Sequence, residues 1–114
     1  MDKDDALTAL AALGQDTRLD VFRLLVQAGP RGLPAGEIAQ RLDVVQNTMS
    51  SHLAILSRAG LVKPSREGRI IRYAADYAGM RALLQFLMQD CCRGDPNICS
   101  PLPETTASQQ RRSP

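Results

Sequence analysis

The sequence has no tryptophan, two tyrosines, two phenylalanines and a single histidine in 114 residues. A core with so few large aromatics has to be assembled from Leu, Val, Ile and Ala, which suits packed helices better than a sheet sandwich. No run approaches the roughly 20 consecutive apolar residues of a membrane span, and the opening MDKDDALTAL is acidic, unlike a secretory signal. The expectation is a cytoplasmic protein, where thiols stay reduced. Three cysteines are an odd number for a disulfide framework, and all of them fall within DCCRGDPNIC, residues 90–99. At this length the chain holds one domain at most, and burial of apolar surface against a second copy would add stability.

Net charge is only +2, so composition alone does not point to nucleic acid. The distribution is more informative. Residues 1–23 carry five acids and three bases, whereas residues 41–72 carry six bases (Arg41, Arg58, Lys63, Arg66, Arg69, Arg72) against Asp43 and Glu67. A local basic excess of this kind is either a solvated face or a phosphate-facing surface, and a motif has to decide between them.

Hydrophobic spacing predicts a first helix in DKDDALTALAALG, with Leu7, Leu10, Ala11 and Leu13 as its apolar stripe and acids in the first turn. QDTRLDVFRLLVQAGPRG predicts a second, capped by Asp16 or Thr17, with Leu19, Phe22, Leu25 and Val26 inward. AGEIAQRL is a short third helix with Ile38, Ala39 and Leu42 inward. After the break DVVQ, NTMSSHLAILSRAG is a fourth, on which Met49, Leu53 and Leu56 face the core. Two helices joined by a tight turn, the second opening on small uncharged polar residues, have the form of a helix-turn-helix. LVKPSREGRIIRYAAD then reads as a β-hairpin turning at Glu67-Gly68, which makes the arrangement a winged helix. YAGMRALLQFLMQDCC is a final amphipathic helix with Met80, Leu83, Leu84, Leu87 and Met88 on its apolar side. The expected fold is mostly α with a β-hairpin wing. Residues 1–92 are the winged-helix and dimerisation domain, and 93–114 are a flexible tail carrying Cys99.

From about residue 7 to 92 the order and spacing resemble the ArsR/SmtB family of metal-responsive bacterial repressors. The likeness is carried by ALGQDTRLDVFRLL, by EIAQRLDVVQNTMSSHLAILSRAGLVKPSREGRIIRY, and most specifically by SSHLAILSRAGLV with REGRIIRY. The resemblance implies a homodimer joined through its first and last helices. Such a dimer binds near-palindromic operator DNA and is released when a metal or metalloid binds.

The residues agree with the DNA part of that expectation. The first turns of a recognition helix need short hydrogen-bonding side chains that can approach base edges. Gln46, Asn47, Thr48, Ser50, Ser51 and His52 meet that need, with Met49 alone of the run turned inward. A solvated polar helix face is the bland alternative. His52 is read as a packing or phosphate-contacting residue rather than a metal ligand. Arg66, Arg69 and Arg72 of the wing are placed to touch phosphate or the minor groove.

The inducer is the remaining question. Many arsenic responders of the family carry a CVC-type motif where this chain reads PAGEIAQRL. Zinc responders use Asp and His on the last helix, where this chain has Asp76 and no histidine. Neither site carries over. Cys91, Cys92 and Cys99 remain, three thiolates without the fourth ligand that structural zinc almost always takes. Soft thiolates select soft ions, and As(III) or Sb(III) takes three sulfurs in a pyramid. The tail also looks like that of arsenic-responsive members with a Cys-Cys pair and a third cysteine after the last helix. An unligated reduced tail, a site for Cd(II), Pb(II) or Cu(I), and a sensor of thiol oxidation stay open. So does a metalloid-binding chaperone, which would leave the helix-turn-helix unexplained. An arsenate reductase of the phosphatase-like type needs Arg six positions after its cysteine. Asn97, Ile98 and Thr105 stand there, so the chain is read as a regulator and not an enzyme.

Overall fold

The computed structural model describes residues 1–89, so Cys91, Cys92, Cys99 and the tail 93–114 lie outside the described residues. The element order is α1 (Lys3–Leu13), α2 (Asp16–Ala28), β1 (Leu33–Pro34), α3 (Ala35–Leu42), α4 (Gln46–Arg58), β2 (Val62–Glu67), β3 (Ile70–Ala75) and α5 (Tyr77–Met88). This is a mostly helical winged helix-turn-helix, with the hairpin wing following directly on the fourth helix.

Asp2 starts α1 with a reciprocal capping box, accepting the Asp5 N–H at 2.8 Å while the Asp5 carboxylate accepts the N–H of Asp2. The buried face of α1 is not the leucine stripe that its spacing predicts. Ala6, Ala9 and Ala12 are buried, while Leu7 and Leu10 are 53% and 41% exposed. Alanines three apart let the helix backbone lie close against its neighbours, and the leucines are left on the far side. In α2 the cap is Gln15 rather than Asp16 or Thr17, its side chain accepting the Arg18 N–H at 2.8 Å. Val21, Phe22 and Leu25 are buried there, and Leu19 is exposed.

The sheet has three strands in the order β1-β3-β2. Its first strand, which the sequence reading does not include, pairs Leu33 with Tyr73 and Pro34 with Arg72. The hairpin runs from Val62↔Ala75 to Glu67↔Ile70, so its turn is Gly68-Arg69, one residue later than the predicted Glu67-Gly68. Gly68 has φ 63, which fits glycine at the first central position of a tight hairpin turn. Pro64 lies on β2, the outer strand, where a missing backbone donor is tolerated.

Leu25, Ile38, Met49, Leu53, Leu56, Leu61 and Val21 are the largest fully buried side chains, so α2, α3, α4 and the start of the wing share one core. Tyr77 at the start of α5 donates its hydroxyl to the Val26 carbonyl at 3.1 Å. Met1–Leu83 forms one compact unit, and Leu84 begins a second. Of the apolar side predicted for α5, Leu83 is buried, Met80 and Met88 are half-buried, and Leu84 and Leu87 are exposed. Among the described residues no helix is long and apolar enough to cross a membrane.

One close approach fixes where α5 starts. A Cβ on Gly79 would stand 1.9 Å from the Gly60 carbonyl oxygen, whereas one on Gly36 in α3 would meet only the Gln46 amide at 4.0 Å. Gly79→Ala is therefore expected to cost about 3 kcal/mol through backbone displacement. Gly36→Ala is expected to be neutral or stabilising by up to about 1 kcal/mol. Urea unfolding of the two variants checks the contrast.

Candidate nucleic-acid interface

The helix-turn-helix is joined by three residues, Asp43–Val45. Asp43 takes the left-handed conformation at φ 55, and the N–H groups of Asp43 and Val44 return to the carbonyls of Gln40 and Ala39 at 3.2 and 3.0 Å. Asp is one of the few residues besides glycine that enters this region readily. The turn ends α3 and redirects the chain, so α4 begins at Gln46, one residue earlier than the sequence spacing implies.

Met49, Leu53 and Leu56 are buried, and they set the rotation of α4 about its own axis. Gln46, Asn47, Thr48, Ser50 and Ser51 are consequently exposed. Gln46 and Ser50 line a cleft of about 450 Å³. Arg69, Ile70, Ile71 and Tyr73 of the hairpin also line it, together with Pro34, Ala35 and Gly36. The fold thus brings Gln46, Ser50 and Arg69 together. Asn47 and Thr48 lie exposed on the first turns of α4 without lining that cleft. Ser51 is exposed as well, its hydroxyl donating to the Asn47 carbonyl at 3.4 Å. Arg66 is on outer strand β2, its guanidinium reaching the Gly68 carbonyl at 3.5 Å.

Two of the six bases in the positive stretch form ion pairs among the described residues. Arg41 pairs with Glu37 one turn earlier on α3. Arg72, read in the sequence as a wing contact, instead lies 3.8 Å from Glu67 and donates to the carbonyls of Arg31 and Gly32 at 3.4 and 3.3 Å. Its role is to fasten the wing to the β1 turn.

His52 is half-buried and does not share the open exposure of the residues before it. Its Nδ1 stands 3.4 Å from a terminal nitrogen of Arg18 on α2. A guanidinium can only donate, so Nδ1 accepts and the ring proton of the neutral imidazole sits on Nε2. The same Arg18 donates from Nε to the Ala12 carbonyl at 2.7 Å and from its other terminal nitrogen to Ala11 at 3.5 Å. The last turn of α1 has no base of its own, and Arg18 supplies one from the next helix. One side chain therefore joins the end of α1 to α4. Sequence reasoning missed it, because contacts 34 residues apart leave no periodic trace.

A helix-turn-helix domain model matches residues 13–64. The transcriptional activator HlyU of Vibrio cholerae is 29% identical over 90 residues, covering 79% of this chain and 81% of HlyU. The structure of reduced HlyU superposes with a TM-score of 0.58 at 30% identity, covering 78% of this chain and 90% of that one. An ArsR-like transcriptional regulator from Rhodococcus sp. RHA1 superposes with a TM-score of 0.68 at 28% identity, over 85% of this chain and 89% of its own. The chain belongs to the ArsR/SmtB-type winged-helix transcriptional regulators. Like others of the ArsR/SmtB type it is a DNA-binding regulator and not an enzyme. A further neighbour is Mb0332 of Mycobacterium bovis, a possible ArsR-family regulator whose fragment 1–100 is described as a homodimeric winged helix-turn-helix DNA-binding domain. It superposes with a TM-score of 0.61 at 27% identity, over 81% of this chain and 85% of that one.

Burial first, and the Arg18 charge second, hold the His52 pKa below its ordinary 6.5. The unfolded chain therefore takes up the proton more readily than the fold. The stability contributed by neutral His52 is full above about pH 6.5 and is lost as pH falls through the lowered value. As the chain has one histidine, proton NMR reports it without ambiguity. The titration midpoint is expected below 6.5 in the wild type and higher in Arg18→Met, which also loses the tie to α1.

Proposed function

We propose that this regulator is a homodimeric repressor whose α4 enters the major groove of a near-palindromic operator, with the wing against the sugar-phosphate backbone. The observation that carries this reading is the cleft lined jointly by Gln46 and Ser50 of α4 and Arg69 of the wing. Gln46, Asn47, Thr48, Ser50 and Ser51 are the side chains offered to base edges or phosphate. Gln and Asn can each pair two hydrogen bonds with adenine, and Ser and Thr can serve either partner. Neutral His52 offers its Nε2–H. Arg66 and Arg69 act on phosphate. The dimer is supported by the leucines of α1 and of α5 that are exposed among the described residues, Leu7, Leu10, Leu84 and Leu87. It is supported also by the homodimeric state of Mb0332. A two-fold dimer would set its recognition helices about 34–36 Å apart, one turn of DNA.

The inducer in this reading is As(III), or Sb(III), held by Cys91, Cys92 and Cys99. All three cysteines of the chain fall within residues 90–99, so three soft ligands meet there in sequence. Ion binding there would act on the end of α5 and so on the dimer geometry. A coupling of about 1–3 kcal/mol per site would be enough, provided the ion favours the DNA-free form. Reciprocity then requires operator DNA to weaken metalloid binding. Thiol oxidation is the second reading, favoured by the fact that a structural relative, HlyU, is known in a form described as reduced.

Gel-shift titration with arsenite in the presence of reductant is expected to release wild-type protein. Cys91→Ser, Cys92→Ser and Cys99→Ser should each require much more arsenite. Release by peroxide with no response to arsenite would move the assignment to oxidation, and unchanged release in all three variants would remove the cysteines from it. For the DNA face, Arg69→Ala is expected to weaken binding to all sequences alike and to lower the salt slope by about one. Gln46→Ala should instead cost about 1–3 kcal/mol on the selected site and relax the preference at one base pair. Binding isotherms at several salt concentrations separate the two behaviours.

A further inference from the structure

Val45 is the N-cap of α4 and is 72% exposed, more than any other large apolar side chain among the described residues. Nothing in the fold asks for a valine there. Ser, Thr, Asp or Asn at this position would accept a first-turn N–H and stabilise the helix. The other helices follow that rule or compensate for breaking it. Asp2, Gln15 and Asp76 cap α1, α2 and α5, and α3, whose N-cap is Pro34, carries Glu37 in its first turn. Of the five described helices, only α4 starts with neither a capping side chain nor an acid.

A branched hydrocarbon is thus held in water beside first-turn amide groups that receive no capping side chain, in a turn that contains no acid. Departures from local rules of this kind gather at functional sites. The matching ligand has anionic oxygens and an apolar group close together. The major-groove surface of DNA has both, and its distinctive apolar group is the C5-methyl of thymine. The other bases present donors and acceptors that valine would desolvate without pairing.

We infer that Val45 is a specificity-determining residue, packing on a thymine C5-methyl at the edge of the bases read by Gln46 and Asn47. The inference rests on the docking of α4 in the major groove proposed above, and it adds an apolar contact to a face otherwise read through hydrogen bonds.

The test begins by selecting the preferred site of the full-length protein from a random DNA library. Each thymine of that site is then replaced by deoxyuridine, which removes only the methyl. Wild-type binding is expected to fall about fourfold for the contacted thymine, the worth of one buried methyl-sized group. Val45→Ser should bind the thymine and uracil sites equally, while its melting temperature rises by a few degrees because serine caps the helix. A residue with a purely structural role would not produce that opposite pair of effects. Wild-type indifference to deoxyuridine at every position, or an unchanged fourfold loss in Val45→Ser, would overturn the inference while leaving groove docking intact. Failure to enrich any sequence would overturn the docking and this contact with it.

Discussion

The seating of Met49, Leu53 and Leu56 in the core is the constraint on which the interface depends. Successive residues of a helix point about 100° apart, so burying three side chains on one line fixes the direction of every other residue on α4. Each such burial is worth about 1.5–3 kcal/mol. The outward residues have no comparable interactions of their own, since Ser51 makes one weak bond to Asn47 and Gln46 and Ser50 face an open cleft. The outward face of α4, which we propose meets DNA, is therefore defined by what lies behind it. Substitutions on that face are free to change sequence preference with little effect on folding.

Arg18 adds a second, polar link. Its guanidinium spans two α1 carbonyls and the His52 ring, and the planar fork of arginine suits this better than the single ammonium of lysine could. If α1 is part of a dimer interface, movement there reaches α4 through one side chain as well as through the apolar core. The fixed tautomer also decides which ring nitrogen of His52 can donate.

Much of this architecture was legible in the sequence. The five helices and the hairpin follow from 3.6-residue and two-residue periodicity punctuated by Gly14, Gly29 and Gly68, and the face of α4 follows from the 4-and-3 spacing of Met49, Leu53 and Leu56. What was not legible depends on partners distant in the chain. Which side of α1 is buried is decided by how closely its alanines approach the neighbouring helices, and a hydrophobicity pattern ranks leucine above alanine. The two-residue strand β1 exists because Tyr73 and Arg72 are there to pair with it. Arg72 counted as a surface base until the carbonyls of Arg31 and Gly32 appeared beside it. Val45 broke a capping rule in plain view, but its meaning required knowing that the side chain stays exposed.

Pro64 on the outer strand of the wing carries a different kind of consequence. An edge strand offers unpaired backbone groups to any passing chain, and a hairpin that has to stay uncovered, as the proposed contact with DNA requires, cannot hide them. Pro64 removes one donor from that edge, and the neighbouring Lys63, Arg66 and Glu67 add charge along it. A strand so composed is a poor template for another β-strand. The wing can remain uncovered without inviting its own copies to aggregate along it.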